Sequence, residues 1–308
     1  MITYFQALVM GLVQGVTELF PISSLGQAVI FPTAVGWDSL ANAQSRPESF
    51  FLAFLVGLHV ATATALLVYF RADWKGIIGG FFRSFGEGMR ERRAPWAAPG
   101  GDTHLAWLLV VATIPAGITG LLFERFLRET FSKPLFAAVF LMVNGVILFV
   151  GERYRRRSQV RALAVVHGAN EGTDERRLDT LDFKEALVIG VAQVLALFAG
   201  ISRSGITMVA GLVRGLSHED AARFSFLLAT PIILAAGLYK LPDLFGPLGD
   251  GIRMQVLAGS VMAGIAAYLS VRFLMKYFET KTLTPFAVLC LIEGAACTIG
   301  FALTGHHF

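Results

Sequence analysis

Two short stretches of this chain hold reactive side chains inside apolar sequence. Residues 11–28 read G-L-V-Q-G-V-T-E-L-F-P-I-S-S-L-G-Q-A, and residues 199–207 read A-G-I-S-R-S-G-I-T. In the first, Gln14 and Glu18 are four residues apart and share one helix face. Pro21 ends or kinks that helix, and Ser23 and Ser24 stand where they can cap the next one, with Gln27 one turn further on. This unit offers a carboxylate, two hydroxyls and the N–H groups of a helix N-terminus, which attracts anions, phosphate in particular. In the second stretch, Gly200 and Gly205 let the backbone turn closely, Ser202, Ser204 and Thr207 are donors, and Arg203 is a fixed cation whose planar fork suits phosphate. The chemistry these types describe is that of phosphate esters: Arg203 and two helix ends hold the ligand, and Glu18 serves as acid, base or cation ligand. A carboxylate facing phosphate repels it unless protonated or bridged by a cation, so a divalent ion, Mg²⁺ or Ca²⁺, at Glu18 with Gln14 is expected. The plainer alternative makes the same groups helix caps and Arg203 the structural counter-ion of Glu18.

The elements that must position these groups cross a membrane. Of 308 residues, 55% are hydrophobic and 16% charged, and the mean hydropathy is +0.63. Soluble domains carry about 25% charged residues. Apolar runs of roughly 18–22 residues recur, the length that crosses a bilayer core. The expected fold class is an all-α polytopic membrane protein; a soluble protein with a very large core does not explain so many uncharged runs. In such a protein a net charge of +4 and a pI near 9.2 reflect basic cytoplasmic loops and not nucleic-acid binding. Cys290 and Cys297 lie about 10 Å apart along one helix, too far to pair. The N-terminus has neither a basic leader nor a small-residue cleavage site, so no cleaved signal peptide is expected.

Clean spans are expected at 50–70, 105–123, 134–151, 224–240, 254–271 and 284–304. Segments 5–35 and 184–216 are broken, each either a re-entrant hairpin or a tight pair of passes. Residues 71–104 (Arg71, Lys75, Arg83, Arg90, Arg92, Arg93) read as a long loop, with 77–85 lying on the membrane surface. Residues 152–183 (Arg153, Arg155, Arg156, Arg157, Arg161, Arg176, Arg177) read as a second. Both then face the cytoplasm, while loop 36–49, with Arg46, and the link with Arg125, Arg128 and Lys133 face outside. Trp37, Trp74, Trp96 and Trp107 are expected at the interface. Glu219, Asp220 and Arg223 read as a solvated loop end, and His306 and His307 as solvated. Glu293, inside the last span, is either a partnered structural carboxylate or a transport group.

The two reactive stretches are also related to each other. Shifted by 179 residues, Q-A-L-V-M-G-L-V-Q (6–14) lies over E-A-L-V-I-G-V-A-Q (185–193), Ile22 and Ser23 fall on Ile201 and Ser202, and Gly26 falls on Gly205. With a small gap, S-F-F-L-A (49–53) matches S-F-L-L-A (225–229). Residues 1–308 are therefore expected to form one membrane domain: half 1 (1–151), the basic cytoplasmic loop (152–183) and half 2 (184–308). The loop charges orient the halves oppositely, and inverted repeats with broken helices place a ligand between the breaks near the midplane.

These motifs resemble those of the undecaprenyl-diphosphate phosphatase family, the bacitracin-resistance type of integral membrane phosphatase. Its first motif is Glu or Gln, three residues, then Glu, followed by P-x-S-S-x-G-H; residues 14–27 read Q-G-V-T-E-L-F-P-I-S-S-L-G-Q. Its second is P-G-x-S-R-S-G-x-T, matched by residues 199–207. H-V-A-T (59–62), Pro115-Ala116-Gly117 and F-S-F-L-L-A-T-P (224–231) are lesser echoes. The resemblance implies hydrolysis of the C55 lipid diphosphate to the monophosphate, recycling the carrier for cell-envelope polymers, with support from a divalent cation. It implies inverted repeats with re-entrant helices, in a multi-pass protein of the bacterial plasma (inner) membrane whose site opens to the periplasmic or outer side. Carried over, Glu18 is the essential carboxylate, Ser24 the nucleophile or a phosphate ligand, and Arg203 the diphosphate clamp. Ser202 and Thr207 assist it, and Gln14, Ser23, Gln27 and Ser204 complete the expected substrate contacts. The expected partners are the polyprenyl diphosphate and membrane lipids, with a homodimer as the candidate assembly. Ala199 replaces the family's proline. Gln27 stands where the family has histidine, and glutamine cannot shuttle a proton; His59 is the candidate substitute, against its plainer role as a packing residue. A transporter of the carrier lipid or another anion, or a binder that has lost catalysis, are the alternatives.

Overall fold

The computed structural model describes residues 2–44, 49–91, 94–97, 101–131, 133–165 and 176–304. The helices are α1 (Tyr4–Thr17), α2 (Ser24–Ala34), α3 (Asp38–Gln44), α4 (Phe50–Tyr69), α5 (Arg71–Glu91), α6 (Gly101–Phe131), α7 (Pro134–Val165), α8 (Phe183–Gln193), α9 (Arg203–Val213), α10 (His218–Phe245), α11 (Arg253–Phe278) and α12 (Thr284–Thr304). Six of them, α4, α6, α7, α10, α11 and α12, are long and apolar enough to cross a membrane. They are the six spans expected: α4 and α12 keep the expected bounds to within a residue, and α6, α7, α10 and α11 run past theirs at one or both ends. The protein is an all-α polytopic membrane protein.

The 179-residue register recurs in the helix ends. Thr3 caps α1 in a capping box with Gln6, and Asp182 caps α8 in a capping box with Glu185. Ser23 caps α2 through the Gly26 N–H, and Ser202 caps α9 through the Gly205 N–H. Between them the chain breaks: α1 stops at Thr17 ahead of Pro21, and α8 tightens into a 3₁₀ turn, Val194–Leu197, ahead of Gly200. Each first helix is pressed onto a span by a glycine of the same register. A Cβ on Gly11 would lie 2.3 Å from the Gly259 carbonyl of α11, and one on Gly190 would lie 2.4 Å from the Ala112 carbonyl of α6. Such contact without side chains is how helices approach closely where lipid removes the hydrophobic drive to associate. Around these units α7 packs along α12, and α4 lies between α10 and α11.

The structure corrects the reading of the polar segments. Residues 71–91 are helix α5 and not loop: Ile77, Gly80, Ser84 and Gly88 recur at helical spacing as its buried face, and Trp107 of α6 donates to Ser84 Oγ at 3.3 Å. The helix α7 likewise continues past the apolar run through Arg153–Arg157, and α6 continues to Phe131. Glu219, Asp220 and Arg223 are not a solvated loop end but the first turns of α10 behind the Ser217 cap. Asp220 accepts from the Leu178 N–H at 3.2 Å, and Arg223 pairs with Asp73. At the end of the expected second loop, Arg176 donates to Glu185 at 2.7 Å and to the Arg214 carbonyl at 3.0 Å. His306, His307, Arg46, Arg92, Arg93 and the middle of the basic loop lie outside the described residues.

Candidate active site

The two breaks meet face to face. A Cβ on Gly26 would come 2.8 Å from Gly200 Cα, and one on Gly205 would come 3.2 Å from Pro21 Cβ. Pro21 and Gly200 are themselves 179 residues apart, so these are two copies of one contact. Two polar side chains lock the joint. Ser23 Oγ accepts from both the Gly26 and Gly200 N–H groups at 3.2 Å, and Ser23 is the one non-glycine residue with positive φ (62°) among those described. That conformation is unfavourable for a residue with a Cβ and persists where surrounding bonds enforce it. From α7, the buried Asn144 donates to the Pro21 carbonyl at 2.9 Å and accepts from the Ser202 N–H at 3.0 Å, holding both breaks with one amide.

The joint delivers the charged groups to a cavity of about 310 Å³ lined by Glu18, Ser23, Ser24, His59, Gln193, Ser202 and Arg203, among others, with apolar walls from α4 and α10. Glu18 is 7% exposed. Its Oε1 accepts from Arg203 Nη2 at 2.9 Å. Its Oε2 accepts from Gln14 Nε2 at 2.9 Å and from the Ser24 hydroxyl, and His59 Nε2 lies 3.5 Å away. Taking an ion pair out of water is costly unless further hydrogen bonds satisfy the charges; Gln14 and Ser24 supply them to the carboxylate. Arg203 is less complete, because its buried Nη1 has no partner. His59 Nδ1 lies 2.8 Å from the Leu55 carbonyl. A carbonyl only accepts, so Nδ1 carries a proton and Nε2 is the nitrogen left to exchange one with Glu18.

Both helix N-termini open on the same cavity. In α2 the Gly26 and Gln27 N–H groups are taken by Ser23, and in α9 those of Gly205 and Ile206 by Ser202. The preceding N–H groups, of Ser24 and Leu25 and of Arg203 and Ser204, have no intrahelical acceptor. Two such termini with an arginine form a strongly anion-attracting concavity.

Not every residue singled out from sequence lines this space. Gln14 stands behind Glu18. Ser204 donates to the Phe20 carbonyl at 3.1 Å and bonds Ser202 Oγ at 3.0 Å, while Thr207 bonds Ser225 Oγ at 2.7 Å. These tie α9 to its neighbours. Gln27 turns away to α12 and donates to Glu293 Oε1 at 2.5 Å, which gives Glu293 its partner. Conversely, Asn144, which no sequence motif singles out, holds the joint, and Gln193, known from the sequence only as the repeat of Gln14, lines the cavity. The available signal was an uncharged polar side chain in an apolar segment, and only its neighbours show what it holds.

Fold and site together define an integral membrane protein with a cavity between two broken helices, on which a buried carboxylate, a hydroxyl and an arginine converge. The chain belongs to the bacitracin resistance protein BacA family, which matches residues 7–296. It is 53% identical to undecaprenyl-diphosphatase 2 of Frankia alni over 98% of this chain and 99% of the relative. It is 55% identical to the undecaprenyl-diphosphatase of Mycolicibacterium paratuberculosis over 98% of each. With undecaprenyl-diphosphatase 2 of Burkholderia orbicola it shares 44%, over 96% of this chain and 95% of the relative.

Proposed function

We propose that this protein hydrolyses undecaprenyl diphosphate to undecaprenyl phosphate and inorganic phosphate, as its relatives' names describe. The observation that carries the reading is the convergence of Glu18, Ser24 and Arg203 from two breaks of the chain on one buried cavity. Arg203 Nη1 and the helix N-termini bind the diphosphate. Ser24 Oγ attacks the terminal phosphorus as the bond to the bridging oxygen breaks, its proton passes to Glu18, and the lipid monophosphate leaves. Water then displaces Ser24 from phosphorus, Glu18 returns the proton to Oγ, and the proton lost by the water passes to His59 Nε2. The apolar walls keep bulk water from the charges, which strengthens each of these interactions.

A divalent cation, Mg²⁺ or Ca²⁺, is part of the proposal. Among the described residues no group of three His, Cys, Asp or Glu side chains gathers for a metal. One carboxylate is a poor cage but fits an ion that arrives with its substrate, since Mg²⁺ commonly takes one or two carboxylates plus phosphate oxygens. Glu18, with Gln14 beside it, would hold the ion, which supplies charge neutralisation to the diphosphate.

The site is proposed to face the outer side of the bacterial inner membrane. Its walls come from the first half of α4 and the second half of α10, away from the helix ends marked by Arg71 and Arg223. Loop charge also supports reading the two units as an inverted repeat. A homodimer is proposed as the assembly, and nucleic acid is not proposed as a partner. Phosphate release from a polyprenyl diphosphate by detergent-purified protein with Mg²⁺ or Ca²⁺ tests the function; release no greater than that of a Glu18→Ala control would defeat it.

A further inference from the structure

The repeat leaves one polar side chain without a partner where its counterpart has one. In the 179-residue register Gln14 falls on Gln193 and Glu18 falls on Leu197. In the first unit the Gln14 amide donates to the Glu18 carboxylate at 2.9 Å. The second unit has no carboxylate four residues on, and Gln193, 2% exposed, has neither its amide nitrogen nor its amide oxygen bonded. Its side chain lines the cavity that Glu18, Ser24 and Arg203 line. Arg203 Nη1, also buried, is the other unbonded donor from this set. A buried amide left unpaired at both atoms is costly, and natural proteins rarely keep one without a reason.

We infer that Gln193 is a substrate-binding residue, whose amide takes a phosphate oxygen of the diphosphate where Gln14 takes the oxygen of Glu18. The Nε2 group donates to an anionic phosphate oxygen, and Oε1 accepts from a protonated phosphate oxygen or from a water carried with it. Arg203 Nη1 supplies the charged donor and Gln193 the neutral one. The repeat thus keeps its glutamine in both halves and uses it twice: once on the protein's own carboxylate, once on the ligand's anion. This rests on reading the cavity as a diphosphate site, and the test separates the two.

Gln193→Met keeps the length of the side chain and removes both polar atoms; Gln193→Glu keeps the shape and sets a carboxylate against phosphate. Each is compared with wild type for KM and kcat on a polyprenyl diphosphate, for the inhibition constant of inorganic pyrophosphate, and for Tm. Expected for Gln193→Met is a rise of about tenfold in both KM and the pyrophosphate constant, the loss of one hydrogen bond to a charged group. Its kcat stays within about threefold and its Tm equals or exceeds that of wild type. Gln193→Glu should weaken both constants further. Unchanged KM and pyrophosphate inhibition in folded Gln193→Met would overturn the inference, as would failure of both variants to fold, which assigns the amide to structure. Should wild type release no phosphate, the phosphatase reading fails on its own. Pyrophosphate would then be tested for raising the Tm of wild type: a shift that Gln193→Met loses supports the binding role, and no shift overturns it.

Discussion

Arg203 Nη2 lies 2.9 Å from Glu18 Oε1, two residues 185 positions apart in the chain that meet across the joint between the breaks. This pair adds a third tie between the two units, beside those of Ser23 and Asn144, and is the charge centre of the cavity. Removing one member of a buried pair strands the other, at roughly 3–5 kcal/mol. Arg203→Ala is therefore expected to abolish phosphate release and lower Tm. Arg203→Lys should retain more stability yet lose activity by at least about tenfold, because one ammonium cannot serve Glu18 and a phosphate through a planar fork. Turnover and Tm measured together check this; wild-type turnover in either variant would refute it.

Ser24 donates to Glu18 but does not hold it in place, since Arg203 and Gln14 remain bonded to the carboxylate. Ser24→Ala should fold with nearly the wild-type Tm and lose about 10³-fold or more in kcat if Oγ is the nucleophile. A loss of only a few-fold, with phosphate release otherwise intact, would make Ser24 a phosphate ligand and water the nucleophile.

His59, not Gln27, faces the carboxylate. His59→Gln is expected to lower kcat by about 10²-fold, the usual size of a general acid–base contribution. Gln27→His should change the rate much less, because position 27 points to Glu293. Steady-state kinetics of the two variants decide between them, and the reverse order would move the proton transfer to the α2–α12 side.

Asn144 bonds one carbonyl of the first break and one N–H of the second. Asn144→Leu leaves the Ser202 N–H without its acceptor and the Pro21 carbonyl with only the weak Cys290 thiol donor, at about 1–3 kcal/mol for the orphaned N–H. A lower Tm with a reduced kcat is expected from thermal unfolding and phosphate release. An unchanged Tm would show that the joint does not depend on this amide.

At the start of α8, outside the six spans, the Arg176 guanidinium beside Glu185 holds its carboxyl below the usual carboxylate range. A depressed folded pKa means the pair stabilises fully above the unfolded value of about 4.3 and loses that contribution as pH falls through the folded value. The pair is partly exposed, so its contribution is at most about 1 kcal/mol. The Tm difference between wild type and Arg176→Ala should be present at pH 7 and shrink progressively as the pH falls below the unfolded value of about 4.3 and through the depressed folded one. A difference independent of pH would assign it to the Arg214 carbonyl contact instead.

The bilayer, the six spans and the places where the chain breaks are legible in the sequence. Length and composition alone require a bilayer, because some twenty uncharged residues in a row have no other use so many times in one chain. The 179-residue register foretold paired breaks, and their helix caps repeat in that register. Charged stretches were less legible: α5 and the extension of α7 read as loops because their arginines hide a helical face that only a packed neighbour makes visible. The roles inside the cavity were decided by tertiary structure. Nothing local turns Gln27 toward Glu293, brings His59 beside Glu18, or leaves Gln193 unbonded. Those outcomes depend on which span each half-helix packs against, and that is fixed by contacts such as Gly11 on Gly259 and Gly190 on Ala112. Covalent order sets what a side chain can do; only the packing of distant helices sets what it faces.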